Sequence, residues 1–461
     1  MIKDLNLKLY AVNEVEKLVF YNGFTGTRSL FNKNEMYALG LAGKLDLINI
    51  LRLIDRLGEE IPCEEPWNAP RAEEWDQMTF REFLERHIST DSATEFMKLF
   101  TTVNVTNEPY ESSLLWFLWY VKQCGGTRRI FDTHNGAQEF KINGGTNQIT
   151  ELLAEKIGLS RVLLNQPVCC VDQELDEFTE VQTLSGYTYR CRRVILATPP
   201  TVQQKIHYKP ELPAMRNQLI QRAPQGSVFK CILYYEKIFW RPRDMCGSAI
   251  FIGPDEEFPI VYCIDDTKPN NSYPALIGFL PGDRARKLAH LSQKERGQII
   301  AQSYARAFGT DEALKPIHYE EQNWSAEQYC GGCFTMTCAP GFLTQYGPYL
   351  RTPINRLYFA GTETAPQWSG YMDGAIQAGE RAARECLRDD GLIDDEDVWQ
   401  EEPISLEYPP LPSINNSWIE EWAPSPAHVR NVFKRATMTA LLSIVGYLAI
   451  RNRDLLQSIK F

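Results

Sequence analysis

The chain has 461 residues, of which 44% are hydrophobic and 11% are aromatic. That length supports two or three domains with buried cores and argues against a mainly disordered protein. A formal net charge of −11 argues against a nucleic-acid partner, because such binding needs a broad basic surface.

The first hundred residues are predicted to be mainly helical. Apolar residues recur at helical spacing at Leu45, Ile48, Leu51, Ile54 and Leu57. Thr79 and Glu82 form the sequence pattern of a capping box, which opens a further helix. The run from Ser112 to Cys124 is apolar and aromatic, which predicts a deeply buried helix that ends at Gly125-Gly126.

From Phe131 to about Leu280 the pattern changes to short β-rich runs. The clearest predicted strands are Arg193 to Thr198, which ends at a Pro-Pro pair, and Val228 to Tyr235. A helix is predicted from about Gln293 to Phe308.

The main chemistry is predicted at a junction between a strand and a helix. The strand runs from Leu357 to Ala360 and ends at Gly361, and the helix runs from about Asp373 to Leu387. The free N–H groups at the start of this helix point toward Tyr371 and Met372, where they would stabilise an anion. Plain packing of helix against sheet through small residues is the alternative.

The C-terminal part begins with an acidic run from Asp389 to Glu402, followed by a Pro-rich stretch that predicts an extended strap. The segment from Ala436 to Ile450 is uncharged and mostly apolar, with basic residues on both sides. We therefore predict a membrane tail anchor, although the segment is short for a span. An amphipathic helix packed on the domain is the alternative.

The lysine of the predicted strand from Val228 to Tyr235 stands among apolar residues. Burying an ammonium group costs several kcal/mol unless it is paired, neutralised or facing a polar cavity. Lys230 is therefore a candidate functional residue, with a strand face open to water as the alternative.

Twelve cysteines lie between Cys63 and Cys386 without the dense spacing of a disulfide framework, which favours a reducing compartment. Only Cys330 and Cys333 have the spacing of a metal site, and no second pair complements them, so no metal is predicted. The glycines before Cys333 permit a close approach, so its thiol could meet a planar cofactor. A small buried thiol with no such role is the alternative.

With these features together, the chain resembles flavin-containing monoamine oxidases from about Glu59 to the C-terminus. The stretches that carry the resemblance are Ser113–Gly126, the Lys230 strand, Asp265–Pro269, Gly331–Cys333, Phe359–Thr364 and Trp368–Met372. The resemblance implies a two-domain α/β (α+β) fold and an FAD-dependent oxidase. In such an enzyme the amine loses a hydride equivalent to the flavin, the imine hydrolyses to an aldehyde, and O2 becomes H2O2.

Site roles follow from the same resemblance. Cys333 matches the cysteine that carries FAD through an 8α-thioether, Lys230 the lysine that holds a water near the flavin, and Trp324 the tryptophan beside the ring. Further cofactor contacts are implied at Gly361, Thr362, Met372 and Val168.

The substrate site implied by the resemblance is an aromatic cage around the amine, because π faces attract and align it. Tyr371 matches one of the two cage tyrosines. The other position is Phe334 here, which predicts an altered substrate preference. The remaining cavity lining is implied at Val103, Asn104, Phe131 and Gln138.

One departure from the family concerns the N-terminus, because the sequence contains no G-x-G phosphate-binding motif. The FAD domain is therefore expected to be incomplete. The predicted division is 1–60 (remnant of the FAD domain), 61–135 (helical part of the substrate domain), 136–205 (FAD-domain strands and helix), 206–320 (antiparallel-sheet substrate domain), 321–388 (C-terminal part of the FAD domain), 389–429 (strap) and 430–461 (tail anchor).

Three functional hypotheses remain open. The first is an amine oxidase that acts on small amines with O2, and the second is a non-catalytic, membrane-tethered protein that cannot hold FAD. The third, the least favoured, is a thiol redox or metal protein that uses Cys330 and Cys333. The resemblance implies the cytosolic face of the mitochondrial outer membrane, and a homodimer is possible.

Overall fold

A computed structural model describes residues 1–32, 39–175, 177–400 and Val432. Its α-helices are α1 (Gly40–Gly58), α2 (Ala72–Asp76), α3 (Phe80–His87), α4 (Asp91–Val105), α5 (Leu114–Gln123), α6 (Thr127–Phe131), α7 (Asn147–Ile157), α8 (Pro200–Gln203), α9 (Ala214–Gln221), α10 (Gly282–Leu288), α11 (Gln293–Phe308), α12 (Phe342–Tyr346) and α13 (Met372–Asp389). The chain combines these helices with β-sheets in a mixed α/β fold.

The strands of the described ranges are β1 (Leu9–Ala11), β2 (Lys17–Asn22), β3 (Thr27–Phe31), β4 (Phe140–Ile142), β5 (Val168–Asp172), β6 (Thr179–Thr183), β7 (Thr188–Cys191), β8 (Val194–Leu196), β9 (His207–Lys209), β10 (Val228–Tyr234), β11 (Met245–Ile252), β12 (Tyr262–Asp265), β13 (Ala275–Pro281), β14 (His318–Asn323) and β15 (Leu357–Phe359). Strands and helices alternate along the chain without internal repetition.

The largest sheet has seven strands in the order β14-β10-β13-β12-β11-β2-β3. All neighbours are antiparallel except β11 and β2, which run parallel. The prediction that the first hundred residues are mainly helical is therefore wrong for Leu9 to Phe31, whose strands are completed by a partner far along the chain. The two strands β2 and β3 thus extend the sheet that is otherwise built from residues 228–323.

Three smaller sheets surround this one. Strands β15 and β8 form a parallel pair, strands β7-β6-β5-β9 form a second sheet, and β1 pairs with β4. The chain continues from β15 toward α13, as predicted from the sequence. The division of the chain into FAD and substrate domains remains a prediction.

Helices α1, α3 and α5 agree with the predictions made from the sequence. The prediction of α1 is confirmed, and Thr79 and Glu82 make both hydrogen bonds of the capping box that opens α3. In α5 nearly every side chain is buried in the larger of two apolar cores. The smaller core lies between the seven-stranded sheet and α11.

Asp265 anchors the end of β12 deep in the protein. Its Oδ2 accepts hydrogen bonds from the Trp240 indole at 2.9 Å and from the Arg241 guanidinium at 2.7 Å and 3.0 Å. Its Oδ1 accepts the Thr267 N–H at 2.8 Å. Both oxygens of this buried carboxylate therefore have defined partners, which offset the cost of its burial.

Of the strap and the tail anchor predicted at 389–429 and 430–461, only residues 389–400 and Val432 lie within the described residues. Within the described ranges, no helix combines the length and apolar composition that a membrane span requires.

Candidate active site

Lys230 lies on β10, the second strand of the seven-stranded sheet counted from its β14 edge. Its neighbours in the strand, Phe229 and Cys231, are buried in the smaller core, so the pleat directs Lys230 to the opposite face. There its side chain is half-buried, and no described residue forms an ion pair or hydrogen bond with its ammonium group. A cation in that position is available to solvent or to a bound ligand.

The register of the sheet identifies the neighbours of this lysine. Lys230 lies opposite Phe279 on β13 and opposite Gln322 on β14. Phe279 in turn contacts the ring of Phe334, at 6.2 Å between ring centroids in an edge-to-face arrangement. Phe334 is therefore close to the face of the sheet that carries Lys230, as the predicted site requires.

The segment that contains Cys333 and Phe334 is held by Thr106, just after α4. The Thr106 hydroxyl donates to the Cys333 carbonyl and accepts the Phe334 N–H at 3.1 Å. The Cys333 N–H donates to the Gly226 carbonyl at 2.9 Å. A Cβ at Gly226 would lie 1.9 Å from the Thr106 Oγ1, so this close approach requires glycine.

The Cys333 thiol is free and partly exposed. Burial and, to a smaller extent, the nearby Cys330 raise its pKa to about 12, while the charge of Lys230 acts in the opposite direction. The thiol and the ammonium group are therefore close enough to interact electrostatically. The structure brings Lys230, Cys333 and Phe334 into one region, as predicted from the sequence.

The fourth residue of the site, Tyr371, lies at the predicted junction between strand and helix. Tyr371 directly precedes α13, and its carbonyl accepts a hydrogen bond from the Thr362 hydroxyl at 2.8 Å. Gly361, which follows β15, has a φ of +92°, a conformation that favours glycine. Met372 opens the helix and is 48% exposed.

The ring of Tyr371 packs edge to face on Trp368, with 5.1 Å between centroids. Its side chain lies near that of Tyr120, whose hydroxyl donates to the Asn104 carbonyl at 3.2 Å. Burial raises the pKa of Tyr371 well above its ordinary value, so this residue stays a neutral phenol. Asn104 is thus connected to the predicted cage.

The other predicted lining residues differ in their surroundings. Val103 lies beside Asn104 in α4, and Phe131 ends α6 with its ring 5.5 Å from that of Phe96. Gln138 lies on an exposed turn before β4. The roles predicted for these residues remain predictions.

Two predicted cofactor contacts lie in different parts of the fold. Trp324 follows β14 directly, one residue beyond the partner of Phe229, and so stands near the Lys230 end of the sheet. Val168 begins β5 in the separate four-stranded sheet. Their cofactor contacts also remain predictions.

Sequence reasoning missed the residues that hold the site together, namely Thr106, Gly226, Phe279, Tyr120 and Gln123. Gly226 had a usable signal, because a glycine just before a strand often marks a close backbone approach. For the others no local signal exists, since each acts on a residue far away in the sequence.

The observed residues fit the ring end of a flavin. A free thiol at Cys333, an aromatic side chain at Trp324 and the N-terminus of α13 suit a planar, electron-rich heterocycle.

Comparison with known proteins bears on the same point. The model of the flavin containing amine oxidoreductase family matches residues 1–387. The chain belongs to this family. A flavin-containing amine oxidase of Oncorhynchus mykiss is 47% identical over 458 residues, which cover 99% of this chain and 86% of that protein. Amine oxidase B of Homo sapiens is 47% identical over 451 residues, which cover 97% of this chain and 85% of that enzyme.

Solved structures of amine oxidases share the fold. Cyclohexylamine oxidase from Brevibacterium oxydans IH-35A superposes with a TM-score of 0.79 at 26% identity, covering 84% of each chain. Putrescine oxidase bound to putrescine has the same TM-score and coverage at 25% identity. The mixed α/β amine oxidase fold and the assignment as an FAD-dependent amine oxidase are thereby confirmed.

Proposed function

We propose that this amine oxidase converts primary monoamines to aldehydes at the cavity next to Lys230, Phe334 and Tyr371. In the balanced reaction, amine, water and O2 give aldehyde, ammonia and H2O2. The observation that carries the proposal is the convergence of Lys230, Cys333 and Phe334, which are brought together through Phe279 and Thr106.

The residues of the chain would hold FAD as follows. Cys333 would bond to the 8α-carbon of the ring, Trp324 would lie beside it, and Gly361, Thr362 and the start of α13 would contact its polar edge. When bound, FAD accepts the hydride equivalent from the amine and passes electrons to O2. The free, partly exposed thiol of Cys333 supports this arrangement.

Lys230 and the aromatic side chains have separate tasks. The ammonium group of Lys230 has no described partner, so it is available to donate a hydrogen bond to a water molecule in the cavity. Phe334 and Tyr371 present π faces that attract the amine and orient its α-carbon. With a phenyl ring in place of a phenol at position 334, this cage is less polar and should favour more apolar amines.

We also propose that residues 430–461 anchor the enzyme to the cytosolic face of the mitochondrial outer membrane. The apolar segment with its basic flanks supports this proposal. A second candidate is a membrane-tethered protein that binds amines without oxidising them.

One experiment distinguishes the two candidates. Purified protein is precipitated with acid, and the flavin absorbance of the pellet is compared among wild type, Cys333→Ala and the matched control Cys330→Ala. We expect yellow pellets from wild type and Cys330→Ala and a colourless pellet from Cys333→Ala. Colourless wild-type protein would refute the oxidase and support the second candidate, whereas covalent flavin in Cys333→Ala would refute the proposed attachment.

A further inference from the structure

The four residues from Trp368 to Tyr371 form a turn whose backbone is unfavourable by itself. Trp368 has a φ of +52°, although its side chain is large, and Gly370 has a φ of +89°. Left-handed backbone at a bulky residue costs about 1 kcal/mol or more, and it persists only where the surrounding structure holds it. The turn must therefore be held from outside.

Gln123, the last residue of α5, holds one side of this turn. It is 4% exposed, and its Oε1 accepts the Ser369 N–H at 2.7 Å. Its Nε2 donates to the Ser369 carbonyl at 3.3 Å, and its own carbonyl accepts the Trp368 N–H at 3.3 Å. One buried side chain thus satisfies both backbone groups of Ser369.

The other side of the turn is held by Thr362 and by α13. The Thr362 hydroxyl accepts the Gly370 N–H at 2.7 Å and donates to the Tyr371 carbonyl. A Cβ at Gly374 would lie 2.2 Å from the Trp368 carbonyl oxygen, so the helix presses closely on the turn. The turn is fixed between two helices.

Helix α5 also reaches the far end of Tyr371. Tyr120 precedes Gln123 by three residues, so both side chains lie on one face of the helix. The side chain of Tyr120 lies near that of Tyr371, and its hydroxyl donates to the Asn104 carbonyl. The same helix therefore fixes the backbone beside Tyr371 and lies close to its side chain.

We propose that Gln123 is a positioning residue, which sets the direction of the Tyr371 ring toward the amine by clamping the turn from Trp368 to Tyr371. This inference rests on the proposed function, in which the Tyr371 ring orients the substrate. Gln123 touches neither substrate nor cofactor and acts only through the turn.

The test is a double-mutant cycle on the holoenzyme. Gln123→Met keeps the length of the side chain and removes its hydrogen bonds, so we expect kcat/KM for an arylalkyl amine to fall by about 10-fold. In a Tyr371→Leu background the same change should alter kcat/KM by less than about twofold. An equal loss in both backgrounds, or no loss in either, would overturn the proposal.

A matched control separates positioning from general stability. Gln173 is also buried, and its Oε1 accepts the Arg356 N–H at 2.9 Å, far from Tyr371. We expect Gln173→Met to keep kcat/KM within about twofold of wild type. A loss as large as that of Gln123→Met would contradict a specific clamp.

Hydrogen exchange provides a readout that does not depend on activity. The peptide that contains Ser369 and Gly370 should exchange faster in Gln123→Met than in wild type, and unchanged exchange would refute the clamp. Wild-type protein without amine oxidation would refute the proposed function instead, while the exchange result still tests the clamp.

If Gln123→Met does not fold, Gln123→Glu replaces it, because the carboxylate keeps the acceptor for Ser369 N–H and lacks the donor. It should show a smaller loss in the same cycle, and an unchanged kcat/KM would count against the proposal.

Discussion

The rings of Phe279 and Phe334 meet edge to face at an interplanar angle of 73°. Because Phe279 lies opposite Lys230 in the sheet, this contact joins the aromatic cage to the cationic side chain. The orientation of Phe334 therefore depends on the sheet as well as on its own loop.

Substitutions at Phe334 should separate the effect of its aromatic face on amine oxidation from the effect of the hydroxyl group that a tyrosine would carry there. Phe334→Leu removes the π face, so kcat/KM for an arylalkyl amine should fall by about 10-fold, which corresponds to the loss of a cation–π contact. Phe334→Tyr keeps the face and should mainly change the ranking of polar and apolar amines. Steady-state kinetics with both kinds of amine measures this, and unchanged kinetics in Phe334→Leu would remove Phe334 from the cage.

Lys230→Met should slow the reaction without weakening the fold. The ammonium group is half-buried without a described partner, so its removal relieves a desolvation cost, and the thermal midpoint should stay equal or rise. Anaerobic reduction of the flavin by amine should slow by about 100-fold, the lower end of the range for a lost proton-transfer group. Stopped-flow absorbance measures the rate.

The matched control for that variant is Lys141→Met. Lys141 is also partly buried, but it pairs with Asp266 at 2.8 Å. This variant should lose some stability and keep the rate of flavin reduction. An equal slowing in both variants would show that Lys230 has no specific role.

The reactivity of the Cys333 thiol in flavin-free protein should depend strongly on pH. Because burial raises its pKa to about 12, little thiolate exists at neutral pH. Alkylation by iodoacetamide, followed by mass spectrometry, should accelerate by about tenfold per pH unit between about pH 7 and 9.5.

Lys230 should influence that reactivity as well. Its charge lowers the pKa of the Cys333 thiol, so Lys230→Met should slow alkylation at every pH in this range. Equal rates in the two proteins would mean that the two groups do not share a cavity.

Stability should depend more on Asp265 than on its neighbour Asp266. Asp265→Ala leaves the Trp240 and Arg241 donors without their buried acceptor, which should cost about 3 to 5 kcal/mol. Asp266 pairs with Lys141 and Lys268 nearer the surface, so Asp266→Ala should cost less. Chemical denaturation measures both, and equal losses would contradict the importance assigned to the buried network.

Local features of the fold were predictable from the sequence because adjacent residues determine them. The period of apolar residues identified α1, and the Thr79 and Glu82 pattern identified the start of α3. The apolar sequence around Lys230 marked it as a candidate functional residue, and the resemblance identified Cys333 and Tyr371.

The long-range contacts of the site were not predictable in this way. Thr106 holds Phe334 across 228 residues, and Gln123 holds Ser369 across 246. Such contacts depend on which faces of distant elements meet, which a local pattern does not encode. The strands from Leu9 to Phe31 were missed for the same reason, since β1 pairs with β4 and β2 pairs with β11, both far along the chain.

The parallel pairing of β2 with β11 has a consequence for how the chain reaches its native state. Val19 lies beside Ala249, so roughly 230 residues must be synthesised and brought back before the strand finds its partner. Contacts of such high sequence separation slow folding, and until they form β2 is an unpaired apolar edge prone to association with other chains. We expect the early chain to depend on chaperones during synthesis.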